Sequence, residues 1–305
     1  MKIKAIGITE FGAPEVLQVM NVEIVPPGSG EVRVKVKAAG VQPVDAAVRK
    51  GFSPPGTVVT VGTIPGNEFA GIIDQIGEGV SQFQVGDEVL GFRLLGSYAD
   101  YVIVSEEQIV HKPSRMPWEV AGGLSGAGQT AVTALELLDV SQGDTVLING
   151  AAGAVGTIAV QVARAFGASV IGTASEANQE YLLSLGAIPV IYGEGLSERL
   201  RALAPEGIHA AVDAAGGDGL RVACEFVLDK SRVGTIVAFD VASELGIRAI
   251  RSQRSKARLA KLIDLYDAGK LSIHIREAFP MERAADAHTV VEKGHGRGKV
   301  VLVMM

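Results

Sequence analysis

The sequence predicts an α/β protein built from two domains, a partly open β-barrel followed by a doubly wound parallel sheet. Three observations lead there. The chain has 305 residues, enough for two domains of ordinary size, each with a core of its own. Its first third consists of short runs rich in Val and Ile, separated by Gly, Pro and Asp. From Gly122 onward, strand-like and helix-like runs alternate.

The elements follow in order. "KIKAIGI", "EVRVKVKAAGV", "EFAGIIDQIG", "DEVLGF" and "YADYVIVSEEQIV" read as strands bounded by turn residues. Around Pro113 to Pro117 the character changes, and "GAGQTAVTALELLD" reads as a helix. Then come strand "TVLING", helix "VGTIAVQVARAFG", strand "SVIGTA", helix "EANQEYLLSLG" and strand "IPVIYG". Helix "LSERLRAL", strand "GIHAAVDAAG", helix "DGLRVACEFVL" and strand "SRVGTIVAFD" follow. "ARLAKLIDLYDAGKL" is a long helix with apolar i, i+3, i+4 spacing. The tail reads strand, helix, strand ("HIREAFP", "MERAADAHTVVEKG", "GKVVLVM") and is expected to rejoin the first domain. The domains are therefore placed at 1–121 with 272–305, and at 122–271.

Composition excludes several classes. One cysteine builds neither a disulfide framework nor a thiolate zinc site. A net charge of −6 argues against a nucleic-acid partner. Glycine, 38 residues against a usual share of about 7%, has no collagen period. The N-terminus lacks the pattern of a signal peptide. The 19 uncharged residues from Thr145 to Ala163 approach the length of a membrane span, but Asn149, Gly150, Gly153 and Gly156 make them a strand, a tight turn and a helix. The expectation is a soluble, cytoplasmic protein with no membrane partner.

The strongest local signal is that turn. The strand at Val146 to Ile148 runs through Asn149-Gly150-Ala151-Ala152-Gly153-Ala154-Val155-Gly156 straight into a helix. Ala151-x-Gly153-x-x-Gly156 is a variant of the dinucleotide fingerprint. Small residues let a pyrophosphate approach the backbone, and the helix N-terminus offers unpaired N–H groups and partial positive charge. A plain structural turn is the alternative, but the turn sits between the right strand and helix and further βα units follow. The acid that reads an NAD ribose belongs at the tip of the next strand. Here the tip is Thr173-Ala174-Ser175, which leaves room for a 2′-phosphate and favours NADP(H) over NAD(H). Ser175 also suits a helix cap.

Taken together, "AAGVQPVDAAVRKG" (38–51), "PGNEFAGIIDQIGEGV", "FQVGDEVLGF", "GSYADYVIV", "AAGAVG" and "GKVVLV" resemble the medium-chain dehydrogenase/reductase superfamily, in its zinc-free quinone oxidoreductase (zeta-crystallin-like) branch. The resemblance spans nearly the whole chain. It implies a GroES-like barrel, an inserted Rossmann domain, a cofactor held in the cleft between them, a small-molecule quinone or enone substrate, and a homodimer. Zinc-bearing relatives carry Cys where Gln42 stands and His where Asn67 stands, so no zinc is expected. The five histidines (His111, His209, His274, His288, His295) offer no i, i+4 pair. Cys224 reads as a buried helix residue.

The resemblance also assigns residues. Gln42 is expected to donate an amide N–H to the substrate or cofactor, and Asp45 fits the family's acidic position, with a helix cap as the alternative. Thr130 corresponds to a Thr near the nicotinamide ribose, or to an ordinary helix residue. Tyr192 falls at the 2′-phosphate end, or is a strand-end aromatic. Ala214 and Ala215 end the strand "AAVDAA" on the cofactor side, and Phe239 and Val241 fall where the family lines the nicotinamide pocket. The run Arg248, Arg251, Arg254, Lys256, Arg258 offers one phosphate-binding Arg, taken as Arg254, against the alternative of a solvated face.

Three departures stand out. Gln179 replaces a Lys of many NADPH-using relatives. Ser53 replaces a Tyr that serves enoyl-thioester reductases as proton donor, and is placed at the catalytic position. The stretch after Phe239 is short, which implies a more open pocket. The function expected is NADPH-dependent, zinc-independent hydride transfer to a quinone or an α,β-unsaturated carbonyl. The alternatives are reduction of another small carbonyl or oxidation of an alcohol, and NADP(H) binding with little turnover. A methyltransferase would need an acidic ribose ligand that is absent.

Overall fold

A computed structural model describes residues 1–294 and 296–304. The chain divides into two compact units: residues 1–126, 255–263 and 274 onward form the first, and residues 127–254 and 264–273 the second. The first junction lies a few residues beyond the expected 121, inside one continuous helix, and residues 255–263 group with the first unit.

The first unit opens with a hairpin of β1 (Lys2–Ile8) and β2 (Leu17–Glu23). Next come β3 (Glu31–Val41), α1 (Pro43–Arg49), β4 (Glu68–Ile76), β5 (Glu88–Phe92), β6 (Tyr101–Ser105) and β7 (Ile109–His111). The chain leaves through α2 (Trp118–Leu137), which starts directly after Pro117, eight residues ahead of the helix read from sequence at Gly126. A proline fits just ahead of a helix, where its missing N–H costs nothing.

The second unit contains β8 (Thr145–Asn149), α3 (Ala154–Ala165), β9 (Ser169–Ala174), α4 (Gln179–Ser184), β10 (Ile188–Ile191) and α5 (Leu196–Leu203). It continues with β11 (Ala210–Asp213), α6 (Gly217–Phe226), β12 (Val233–Thr235), α7 (Phe239–Leu245) and β13 (Arg248–Ala249). After α8 (Lys256–Asp267), the strands β14 (Ile275–Pro280) and β15 (Lys299–Val303), with α9 (Ala284–Glu292) between them, complete the first unit.

The sheet of the first unit has the order β14-β15-β3-β4-β5-β7, with β6 also paired to β3. Its pairs are antiparallel except β14 with β15. Period-2 alternation along β3 buries Val32, Val34 and Val36 against Phe69, Ile73, Val89 and Ile109. The sheet of the second unit, β10-β9-β8-β11-β12-β13, is wholly parallel. Its order reverses between β8 and β11, the place where open α/β sheets hold their ligands. Its core gathers Leu147, Ile171, Val190, Leu200 and Ala211. The fold is thus α/β, a mostly antiparallel GroES-like sheet domain with a Rossmann-type parallel sheet.

One strand is shorter than its sequence suggests. "SRVGTIVAFD" yields only Val233–Thr235. The Thr235 hydroxyl accepts the N–H groups of Ala238 at 2.9 Å and Val237 at 3.2 Å, which turns the backbone out of the sheet. Phe239 therefore opens a helix rather than ending a strand. The uncharged run at 145–163 is β8, a turn and α3. No helix among the described residues is long and apolar enough to cross a membrane.

Candidate functional site

The turn after β8 is built for close approach. Gly150 has φ +80°, a left-handed conformation suited to glycine. Gly153 caps α3, and a Cβ on Gly156 would collide with the Gly150 carbonyl oxygen and lie 2.7 Å from the Ala151 Cα. Ala151 is buried, whereas Gly153, Ala154 and Val155 are half-exposed at the helix start, where the first N–H groups lack intrahelical partners. The residues suit a dinucleotide pyrophosphate: Gly150, Gly153 and Gly156 carry no side chain, and the first N–H groups of α3 have no intrahelical acceptor.

A buried polar knot holds this turn. Asn149 donates to Asp213 Oδ1 at 2.7 Å, and Thr173 donates to Asn149 Oδ1 at 2.7 Å while accepting from Gly150 N at 3.0 Å. Thr235 donates to Asp213 Oδ2 at 2.6 Å. The knot ties together the ends of β8, β9, β11 and β12. The Thr173 hydroxyl, expected to be offered to a cofactor, is 1% exposed and engaged inside the protein.

Around the tip of β9, Ala174 is buried and Ser175 accepts from Asn178 Nδ2 at 3.0 Å. Gln179 folds back onto the carbonyls of Ala174 and Ser175 at 3.1 and 3.0 Å. Tyr192 is 48% exposed. Ala214 is half-buried and Ala215 exposed after β11, and Phe239 and Val241 lie on the first turn of α7. The arginine run disperses: Arg248 binds the Ser231 carbonyl at 2.6 Å, Arg251 stacks 4.9 Å from the Phe239 ring centroid, and Arg254 is half-buried. Thr130 is half-buried on α2.

In the first unit, a second buried network surrounds the start of α1. Pro43 occupies the first helical position, and the Asp45 carboxylate receives the Gln42 N–H at 2.9 Å to close a capping box. The Gln42 side-chain amide donates to Asn67 Oδ1 at 2.8 Å and to Glu68 Oε1 at 3.0 Å. Both of its hydrogens are thereby used, so the N–H expected for a substrate is directed into the protein. Glu68, fully buried, also accepts from Lys299 at 2.7 Å and from Gly126 N at 2.5 Å. Gly126 has no room for a side chain, since a Cβ there would meet the Gln42 amide.

Asp45 is 1% exposed. It accepts from Tyr98 OH at 3.1 Å and from Asn67 Nδ2 at 3.5 Å. Burial raises its pKa to about 6, against the lowering influence of the Gln42 and Tyr98 hydrogen bonds and of Lys299. Burial first, and the Asp45 charge second, push the Tyr98 phenol well above its usual range. His288 is held down to about 4 by burial and by Arg49. Ser53 is exposed, and its Oγ accepts from Val59 N at 3.1 Å.

Sequence reasoning missed Tyr98, His288, Arg49, Glu68 and Lys299 as members of this network. Tyr98 lies within a quoted motif, and Arg49 and His288 interrupt otherwise apolar helical faces; a polar residue in such a place was the available signal.

The Gln42 amide nitrogen points its hydrogens at Asn67 and Glu68 and so presents no lone pair of the kind a zinc ligand needs. Among the described residues no three His, Cys, Asp or Glu side chains converge as metal ligands; His295 lies outside the described residues.

Residues 28–114 match the family described as Alcohol dehydrogenase GroES-like domain, and residues 185–302 the family described as Zinc-binding dehydrogenase. The chain is 30% identical over 333 residues to the quinone oxidoreductase of Mus musculus, covering 99% of this chain and 98% of the relative. The chain belongs to the medium-chain dehydrogenase/reductase superfamily, in its quinone oxidoreductase (zeta-crystallin-like) branch. It is also 31% identical to the chloroplastic NADPH-dependent alkenal/one oxidoreductase of Arabidopsis thaliana, over 99% of this chain and 79% of that protein. The structure of the quinone oxidoreductase from Coxiella burnetii superposes with a TM-score of 0.87 at 30% identity, with both chains covered completely.

Proposed function

We propose that this branch member is an NADPH-dependent, zinc-independent oxidoreductase that passes hydride to a quinone or an α,β-unsaturated carbonyl. The observation that carries the reading is the glycine turn after β8, set at the reversal of strand order, where Gly150 and Gly156 leave no room for a side chain. Gly150, Ala151, Gly153, Ala154, Val155 and Gly156 would hold the pyrophosphate. Ala174, Ser175 and Tyr192 would face the adenosine end, with Thr173 acting from behind through Asn149. Thr130, Ala214, Ala215, Phe239, Val241 and Arg254 complete the proposed cofactor set. The nicotinamide supplies the hydride.

Quinones and conjugated enones accept hydride without a Lewis acid, which agrees with the amide at Gln42 and Asn67. In the proposed substrate site Gln42 borders the acceptor and Asp45 holds the Gln42 backbone. Ser53, whose oxygen accepts from Val59 N, would donate its own O–H to the acceptor. The reading includes a cytoplasmic homodimer, as the resemblance to the family implies.

The test follows cofactor absorbance with NADPH and NADH separately, across quinones and enones. NADPH consumption with at least one acceptor is the expected result. Turnover with NADH alone would overturn the cofactor assignment. NADPH binding without oxidation by any acceptor would replace the enzyme reading with that of a binding protein.

A further inference from the structure

Behind α1 the buried polar row continues past Asp45. The Tyr98 oxygen that donates to Asp45 lies 3.3 Å from His288 Nε2. The other ring nitrogen, Nδ1, lies 3.3 Å from Arg49 Nη1. A guanidinium has donors and no acceptor. Nδ1 must therefore be the acceptor, the ring proton must sit on Nε2, and the imidazole is neutral. Nε2–H then donates to the Tyr98 oxygen, and the Tyr98 hydroxyl hydrogen is left for Asp45.

Arg49 is itself pinned. Its Nε donates to the Gly12 carbonyl at 2.9 Å and its Nη2 to Glu292 at 2.9–3.0 Å, and Glu292 also pairs with Lys50 at 2.5 Å. Arg49, His288 and Tyr98 have essentially no exposure. Each hydrogen along the row Arg49–His288–Tyr98 thus points toward Asp45.

We propose that Arg49 is a direction-setting positioning residue, which through His288 and Tyr98 keeps the Asp45 carboxylate an acceptor and so fixes the Gln42 loop for the reaction. The inference rests on the proposed role of that loop. The reverse polarity is blocked at one end. A protonated Asp45 would donate to the Tyr98 oxygen, Tyr98 would donate to His288 Nε2, and the ring proton would move to Nδ1. There it would meet an Arg49 N–H that cannot be surrendered.

Other charged groups face the row as well. Lys299 on β15 favours ionised Asp45, and Glu68 on β4 opposes it. Arg49 on α1 disfavours charge on His288, and Glu292 on α9 favours it. Neither Lys299 nor Glu68 touches the His288 ring, so the direction of the row is set from the Arg49 end.

The experiment uses the full chain with 15N-labelled histidine and 13C-labelled aspartate. His288 in the wild type should show the Nε2–H tautomer at pH 7. R49Q introduces a group that accepts as well as donates. It should admit the Nδ1–H tautomer, raise the Asp45 carboxyl midpoint by about one pH unit, and move the acid limb of kcat/KM upward with it. R49K, a donor only, should restore both. Y98F, which cuts the row between His288 and Asp45, should raise the Asp45 midpoint and leave the His288 tautomer unchanged. An Nδ1–H or imidazolium form of wild-type His288 would overturn the proposal, as would an unmoved Asp45 midpoint in both R49Q and Y98F. The NMR readouts need no turnover, so a protein that fails to reduce any acceptor still decides this point separately.

Discussion

Two buried carboxylates, one in each unit, are held in different ways. Asp213 receives Asn149 Nδ2 and Gly216 N at 2.7 Å, Thr235 Oγ1 at 2.6 Å and Ala215 N at 3.2 Å. Asp45 receives three longer bonds, at 2.9, 3.1 and 3.5 Å, and burial lifts it to about 6. Four donors, two from the loop after β11 and two from neighbouring strands, make Asp213 a brace. Three donors, one of them at the limit of hydrogen-bonding distance, leave Asp45 close to titration near neutral pH. The brace lies under a turn that must keep one shape; the titrating group lies beside a loop proposed to meet changing chemistry. Burial alone does not distinguish the two roles, but donor number and distance do.

The contrast can be broken most sharply at Asp213. D213A strands two side-chain donors and two backbone N–H groups, and should cost roughly 3–5 kcal/mol in urea unfolding. It should also weaken NADPH binding measured by fluorescence. D45N keeps the shape and removes the charge, so a comparable loss at neutral pH would erase the distinction.

A mid-sized effect concerns pH. His288 has a lowered folded pKa, so its stabilising contribution is present above the unfolded value of 6.5 and lost as pH falls toward about 4, roughly 3 kcal/mol in full. Asp45 has a raised folded pKa, so its contribution is present below the unfolded value of 3.8 and lost as pH rises through about 6. The two slopes oppose each other between about 4 and 6. Unfolding free energy in the wild type should vary little there, fall with acid in D45N, and rise with acid in H288Q. Parallel curves for all three proteins would mean that neither group carries its assigned charge state.

The smallest effect sets the floor. Arg33 and Asp74 form a two-pronged pair on β3 and β4 at 2.7–2.9 Å, but near solvent. R33A should cost no more than about 1 kcal/mol.

The parts of the molecule legible in sequence are those fixed locally. The glycine spacing after β8 and the alternation of strand and helix declare themselves within a few residues of chain. The end of β12 does not, because the Thr235 hydroxyl could equally have stayed in a strand; its choice depends on Asp213, 22 residues away. Gln42 reads as a donor to substrate only until Asn67 and Glu68, 25 and 26 residues on, claim both hydrogens. The row from Arg49 to Tyr98 is joined by contacts across 190 and 239 residues of sequence, through a histidine in an ordinary amphipathic helix. No local pattern encodes such a meeting.

The strand β15 has a consequence for synthesis. It inserts between β14 and β3, and it carries Lys299 to Glu68. Every segment of the second unit has been made by residue 273, so that unit can close while translation continues. The first unit begins earlier and finishes later. The Ala38–Val41 stretch of β3 must wait, unpaired on one side, until residues 299–303 have left the ribosome. The period of greatest exposure to chaperones and to mispairing therefore belongs to the domain whose synthesis begins first.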